Sequence, residues 1–416
     1  MMARICVVTA GHLATCPRML KAADALAGAG YSVRIVSARY MPWATAADVE
    51  ICRTRANAWD WTVVDYNRGT APGTYLRSAL RFREAQLLTR VLGATHCPVF
   101  LAARAYSRIH PELLRTALAK PADLFYGGTT GALAAVAEAG RRAGVPYALD
   151  LEDFHSAEQD DSPATRLAHG LATRIERSVL PEAAFLTAGS PAIADAYAAT
   201  YGVNLIPVNN AFPLPPTAPD LTPSPGEGLR LYWFSQTVGP RRGLEDIVHA
   251  MGLVKIPGEL HLRGRAVPCY LNALGKLRSE IAPKLKIIHH EPAPPDPVDL
   301  CRGYDVGLAL EQAHVFNRAV CRTNKSFTYM LAGLAIVFTD TLGQRPLALD
   351  LREGALLYAP GDVKALASGL KRWADDKALL ARAKAAAWEA AKRRWHWEHP
   401  CERGALLDAV ARVCKR

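Results

Sequence analysis

Two short apolar runs joined through a single helix leave this chain little choice of fold. The stretch from Tyr304 to Asp362 reads YDVGLALEQ, then TNKSFTYMLAGLAIVFTD, then EGALLYAPGD. An apolar run from Asp305 to Leu310 ends in Glu311, and a polar loop leads to Asn324 and Lys325 at the head of a helix. Gly333 closes that helix, and a second apolar run, Leu334 to Phe338, follows at once. Strands joined by a crossover helix pair in parallel. Such a unit brings a lysine and unsatisfied helix N–H groups to the carboxyl edge of a parallel sheet, where anionic ligands bind.

The same rhythm runs through the chain. Arg4 to Thr9 reads as a strand, Gly11 and His12 as a turn, Pro17 to Ala29 as a helix stopped by Gly30, and Tyr31 to Ser37 as the next strand. AVAEAGRRAGVPYALDLED is a helix, a stop at Gly144 and a buried strand ending in acidic residues. Phe185 to Ala188 is a short strand, and Ser190-Pro191 is an N-cap with proline in the first helical position. Residues 211–228 contain six prolines and read as a stiff linker. The alternation then restarts, with strands expected at Leu229 to Phe234, Glu259 to Leu262, Leu285 to Ile288, Val306 to Leu310, Ala335 to Phe338 and Ala355 to Tyr358. Residues 395–416 read as one last helix with Leu406, Leu407, Val410 and Val413 on one face. Repeated α/β alternation on both sides of the proline stretch implies two doubly wound parallel sheets.

Half of the 416 residues are hydrophobic, enough for two sizeable cores. The formal charge of +11 divides as +3 over residues 1–210 and +8 over residues 211–416, which fits phosphorylated ligands or an anionic surface. No aromatic-basic motif supports nucleic-acid binding. Nine scattered cysteines with no C-x-x-C pair are the usage of a reducing compartment. No apolar run approaches the ~18–20 residues that span a bilayer. The expected location is cytoplasmic.

The segment DVGL…NKSFTYMLAGLAIV resembles the donor-binding region of family 4 glycosyltransferases. LYWFSQTVGPRRGLEDIVHAM, residues 231–251, is similar to the loop in which that family holds the donor diphosphate with two cations. The resemblance implies a GT-B fold: two Rossmann-like domains facing across a cleft, with the last helix crossing back to the first domain. It implies an N-terminal acceptor-side domain over 1–215 joined by 395–416, and a donor-binding domain over 216–394. Gln236 stands where the family usually has its first cation, Arg242 where it has its lysine, and Lys325 supplies the other cation. Arg242 and Lys325 are thereby expected to stabilise the leaving diphosphate, together with Arg241 and Asn324. The family's ribose-binding glutamate falls at Thr328, whose neutral hydroxyl is a weaker partner. Glu311 is then either a donor-sugar contact or a solvated strand end. Arg263, Gly264 and His290 follow strands at places that line the nucleotide pocket.

On the N-terminal side Gly11 lets a backbone approach the donor, and His12 is either an acceptor contact or a plain loop residue. Glu152, Asp153 and His155 follow a strand; Glu152 falls at the family's histidine position, and Glu152 or Asp153 can orient the acceptor or stabilise an oxocarbenium-like transition state. His289-His290-Glu291 and His396-Trp397-Glu398-His399 lack metal-site spacing, so no metal is expected. Nine basic residues between Arg68 and Lys120, against Glu84 and Glu112, form either an ordinary basic surface or a face for an anionic membrane at the inner side of the plasma membrane.

The function implied is transfer of a hexose from a nucleotide sugar to a glycan, lipid-linked or other glycoconjugate acceptor, with retention, in polysaccharide biosynthesis. A GT-B nucleotide-sugar 2-epimerase and a non-catalytic glycan- or nucleotide-sugar-binding partner remain as alternatives. TAGHLATC after the first strand is no dinucleotide fingerprint, so a dehydrogenase fits poorly.

Overall fold

A computed structural model describes residues 2–160, 162–292 and 297–414. The chain divides into two compact units, residues 1–208 with 400–416, and residues 209–399. Each is an all-parallel sheet with helices on its faces.

The first unit carries strands β1 (Arg4–Thr9), β2 (Ser32–Arg39), β3 (Asp60–Asp65), β4 (Leu124–Gly128), β5 (Tyr147–Leu151), β6 (Leu186–Ala188) and β7 (Ile206–Pro207), in the order β3-β2-β1-β4-β5-β6-β7. β1 pairs with β2 from Arg4↔Ser32 and with β4 from Ile5↔Leu124, so the winding reverses between β1 and β4. The second unit carries β8 (Leu229–Val238), β9 (Gly258–Ala266), β10 (Leu285–His290), β11 (Val306–Ala309), β12 (Ala335–Thr339) and β13 (Ala355–Tyr358), in the order β10-β9-β8-β11-β12-β13. Here the winding reverses between β8 and β11. Ligands of doubly wound sheets bind beyond the carboxyl ends of the strands at such reversals. In both sheets the central strands are buried and near-continuously apolar, as parallel strands covered on both faces must be.

Three expectations need correction. β8 does not stop at Phe234 but runs on to Val238 through a bulge, where the register passes from Phe234↔Arg263 to Thr237↔Arg265. Gly264 makes the bulge possible: its φ is +139°, and a Cβ there would lie 2.1 Å from the Ser235 carbonyl oxygen. The proline-rich stretch is no free linker. Ser224 N and Arg230 N both donate to the buried Asp305 carboxylate, at 2.7 and 2.9 Å, and Lys384 donates to the Thr222 carbonyl. These bonds strap the stretch along the second unit. Residues 395–416 are likewise not one helix. Trp395 is buried in the second unit's core and Trp397 N donates to the Phe212 carbonyl, while the helix itself spans Ala405–Cys414 in the first unit. That helix buries Leu406, Ala409 and Val410.

Candidate functional site

In the second unit the loops after β8 and β11 converge at the reversal point. Gly243 begins the helix Leu244–Val254 at φ +71°, and a Cβ on it would lie 2.8 Å from Leu310 Cβ and 2.5 Å from Gln312 Nε2. Only a glycine lets the RRG loop press against the end of β11, which carries Arg242 beside Glu311.

Glu311 is 4% exposed, so it is not a solvated strand end. Lys325 Nζ donates to its Oε1 at 2.8 Å and Arg318 Nη1 to its Oε2 at 3.0 Å. Burial opposes its charge, but Lys325 and Arg318 prevail and hold the carboxyl down at about 2. Lys325 belongs to the first turn of the helix Asn324–Leu331 and lies 5.8 Å from the centre of the Trp233 ring. Arg242 is half-buried, and burial and then the neighbouring Arg318 hold its pKa below the usual arginine value. No hydrogen bond or ion pair reaches it among the described residues. Three cations against one carboxylate leave two positive charges at the head of a helix, the arrangement of an anion site.

Other residues lie differently. Thr328 is fully buried and its Oγ1 donates back to the Asn324 carbonyl at 2.9 Å, so no hydroxyl is presented to a ribose. Lys325 to Leu331 are all buried, and the helix has no open face at Thr328. Gln236 is exposed in the bulge of β8, apart from the RRG loop, and Arg241 is exposed within that loop at φ +60°. Arg263 and His290 stand on β9 and β10, on the far side of β8 from β11. Arg263 Nε donates to the Tyr232 hydroxyl and Nη1 to the Glu291 carbonyl. His290 contacts His261 Nδ1 through Nε2 at 2.9 Å, and His261 Nε2 contacts Glu259. Since Glu259 accepts, His261 donates through Nε2 and receives the His290 proton at Nδ1. Burial lowers both imidazole pKa values. These two residues tie strands together.

In the first unit Gly11 is in the loop after β1, packed against Cys16 Sγ and Thr15. His12 is fully buried: Nδ1 is 2.6 Å from Asp48 Oδ2, and Nε2 accepts from Tyr40 N and Met41 N at 3.0 and 2.9 Å. Both ring nitrogens are consumed in fixing the start of the helix Pro42–Thr54, which leaves none for an acceptor. The loop after β5 carries the acidic residues. Glu152 is half-buried, and burial, offset in part by Arg18, pushes its carboxyl up to about 7. Asp153 is half-buried, and its carbonyl lies 3.2 Å from the Tyr197 hydroxyl. His155 is 5% exposed; burial works against its charge, but Glu158, Glu176 and Asp153 raise it to about 9. Its Nε2 is buried without a hydrogen-bond partner among the described residues.

Sequence reasoning missed the groups beneath this loop. Arg18 makes a two-pronged bond to Asp150, Nε at 2.8 Å and Nη2 at 2.5 Å, and Thr187 donates to the same carboxylate. Lys21, one turn further on the helix Pro17–Gly28, is buried, and burial and then Arg18 bring it down to about 7, against the pull of Glu152 and Glu402. The signal was two basic residues three apart on an apolar helix. Thr129, between β4 and the helix Thr130–Ala143, holds φ +70°, and the run Gly127-Gly128-Thr129-Thr130-Gly131 could have flagged that turn. Among the described residues no group of three His, Cys, Asp or Glu can hold a metal ion, and no helix is long and apolar enough to cross a membrane.

No curated protein matches the chain in sequence. Solved structures match it end to end. Sucrose-phosphate synthase from Thermosynechococcus elongatus shares 14% identity over 99% of this chain and 98% of its own, with a TM-score of 0.69. Anabaena HepE in complex with UDP and glucose shares 16% over 99% of both chains, with a TM-score of 0.66. The lipopolysaccharide outer core galactosyltransferase WaaB shares 10% over 98% of this chain and 99% of its own, with a TM-score of 0.59. The family model of the glycosyl transferase 4-like domain matches residues 17–217, nearly the whole of the first unit up to the strap. Residues 17–217 thus belong to the glycosyl transferase 4-like domain family, and the chain as a whole has the two-domain GT-B fold.

Proposed function

We propose that this protein transfers a hexose from a nucleotide sugar to a hydroxyl of a glycan, lipid-linked or other glycoconjugate acceptor, with retention of configuration. One observation carries the reading: Arg242 is a half-buried guanidinium beside the like charge of Arg318, and the carboxylate that attracts it, Glu311, is already bonded to Lys325 and Arg318. A diphosphate supplies the missing anion. As the glycosidic bond breaks, negative charge grows on the leaving diphosphate, and Arg242, Lys325 and Arg318 are preset to stabilise it. Structural neighbours determined with UDP and UDP-glucose support a uridine nucleotide as donor. In the N-terminal domain, Glu152 and Asp153 orient the acceptor, and His155 offers its buried Nε2 proton to a ligand oxygen.

A thermal-shift panel of nucleoside diphosphates and nucleotide sugars tests the donor assignment. The cognate donor at ~100 times its dissociation constant should stabilise the protein by roughly 2.7 kcal/mol, and Arg242→Ala should abolish that response. A flat response across the panel overturns the reading.

A lipid-linked acceptor agrees with one face of the helix Pro72–Leu92. Leu76, Leu80, Leu87 and Val91 recur along a single stripe and are 60% to 85% exposed, with Arg77, Arg83 and Arg90 beside them. Two such basic faces would repel each other, whereas an anionic bilayer takes both the leucines and the charge. The protein should sediment with phosphatidylglycerol vesicles at low salt, and Leu80→Ser with Leu87→Ser should release it. Equal sedimentation of wild type and the double variant would exclude this face.

A further inference from the structure

The N-terminal domain contains a cavity of about 670 Å3 unrelated to the residues discussed so far. It lies among the helices Val99–Tyr106, His110–Leu118 and Thr130–Ala143, with Val179 at one end. Leu118, Arg142 and Val179 come shortly before β4, β5 and β6, at the amino-terminal edge of the sheet. Glu152 and Gly11 follow strands, at the opposite edge. The cavity is therefore separate from the acidic loop.

Its lining has two characters. Leu114, Leu118, Val99 and Val179 give an apolar wall. Arg104, Arg115, Arg141 and Arg142 give a cationic one, against the single carboxylate of Glu138. Arg142 is 2.7 Å from Glu138 and Arg141 is 3.0 Å from Glu182, so these two are neutralised. Arg104 and Arg115 have no hydrogen-bonded or ion-paired partner among the described residues; Arg104 only rests over the Phe100 ring at 5.6 Å. His110 lines the same cavity; it is 7% exposed, and its Nδ1 is buried without a partner among the described residues. Burial first, then Arg104 and Arg142, bring its pKa down to about 4, with Glu138 and Glu112 pulling weakly the other way. The ring is thus neutral at pH 7 inside a positive field.

We propose that this cavity is a second ligand site, for an amphiphilic phosphate whose head sits on Arg104 and Arg115 and whose apolar part lies along Leu114, Leu118 and Val179. The volume suits a ligand of small-molecule size. Arg104 comes from the helix Val99–Tyr106 and Arg115 and His110 from the helix His110–Leu118, and all three line the one cavity. A phosphate offers three terminal oxygens to these three donors, while a carboxylate has only two. An apolar wall opposite the arginines adds affinity that a bare inorganic ion cannot use.

The full-length protein is titrated with inorganic phosphate, with monomeric dihexanoyl phosphatidic acid and with vesicles containing phosphatidic acid, and the His110 imidazole is followed by NMR. The monomeric amphiphile should bind at least about tenfold more tightly than inorganic phosphate, as expected from roughly 1.4 kcal/mol of apolar contact. A bound anion favours the imidazolium, so the His110 pKa should climb from about 4 toward its ordinary value near 6.5. Arg104→Ala with Arg115→Ala should weaken binding about tenfold or more and cancel the His110 response. Nucleotide-sugar binding should be unchanged, since neither residue belongs to the unit that holds Arg242. Binding of the monomer without a matching response to vesicles assigns the site to a soluble phosphate ester, and an equal or stronger vesicle response assigns it to a lipid head group. An unmoved His110 signal, or equal binding by wild type and the double variant, overturns the proposal whatever the donor panel gives.

Discussion

Lys325→Ala is expected to lower kcat/KM for sugar transfer by about 10²–10³-fold, the loss typical of one preset donor to a developing negative charge. The same change should destabilise the fold by ~3 kcal/mol or more, because it strips a partner from the buried Glu311 carboxylate. The two effects must be separated, and the geometry provides the means. Lys325 and Glu311 are bonded to each other at 2.8 Å, and both are almost fully buried. Removing them together, as Lys325→Ala with Glu311→Gln, deletes the buried pair; Arg318 loses its carboxylate as well, but its side chain is 30% exposed and water takes up much of its charge. Stability measured by urea unfolding should then recover most of the loss. Activity should not recover if Lys325 acts on the donor diphosphate. If Lys325 only neutralises Glu311, the double variant regains stability and turnover together, and the donor role falls.

Closeness in sequence decided how much of this was readable beforehand. Glu311 and Lys325 flank one loop after one strand, so a strand–loop–helix reading already brings them to the same edge. The RRG loop was recognisable by its resemblance, but its contact with the end of β11 depends on the clearance at Gly243. Thr328, already a weaker partner than a glutamate, is turned inward for a local reason. Four residues after Asn324, a β-branched hydroxyl bonds back to its own helix, and Phe327, Met330 and Leu331 bury the turn around it.

The fold followed the same rule. Glycine stops, prolines in first turns and apolar runs are local marks, and they located most strands, but not β3, β4 or β7, nor helices such as Pro42–Thr54 and Pro163–Val179. β8 ran further than its apolar run because the bulge is accommodated by Gly264 on the neighbouring strand. The proline-rich stretch read as a linker because nothing within it reveals Asp305 or Lys384, its distant anchors. His12 carried no local sign that Asp48 would be its partner.

Asp150→Ala should be the most destabilising single change in the N-terminal domain, by ~3–5 kcal/mol. Arg18 lies 132 positions away in sequence, and both of its carboxylate bonds go to Asp150 in the interior. Its remaining nitrogen donates to the Val208 carbonyl, so one guanidinium ties the helix Pro17–Gly28 to β5 and to the end of the unit. Without the carboxylate a full positive charge stays in a low-dielectric interior next to Lys21, whose own charge is already disfavoured there. For a domain of this size that loss corresponds to a fall in melting temperature of roughly 10 °C. Removing both charges, as Arg18→Met with Asp150→Leu, should restore most of the stability, since a well-packed apolar pair matches a buried ion pair at small net difference. The restored variant should still be impaired in transfer. Glu152 stands two residues beyond Asp150, and Arg18 is the strongest influence opposing the rise in its pKa. The loss of Arg18 outweighs the loss of Asp150, which acts the other way, so Glu152 should titrate higher and the acid limb of the pH–rate profile should move upward. A double variant with an unaltered pH profile would mean that Arg18 serves stability alone.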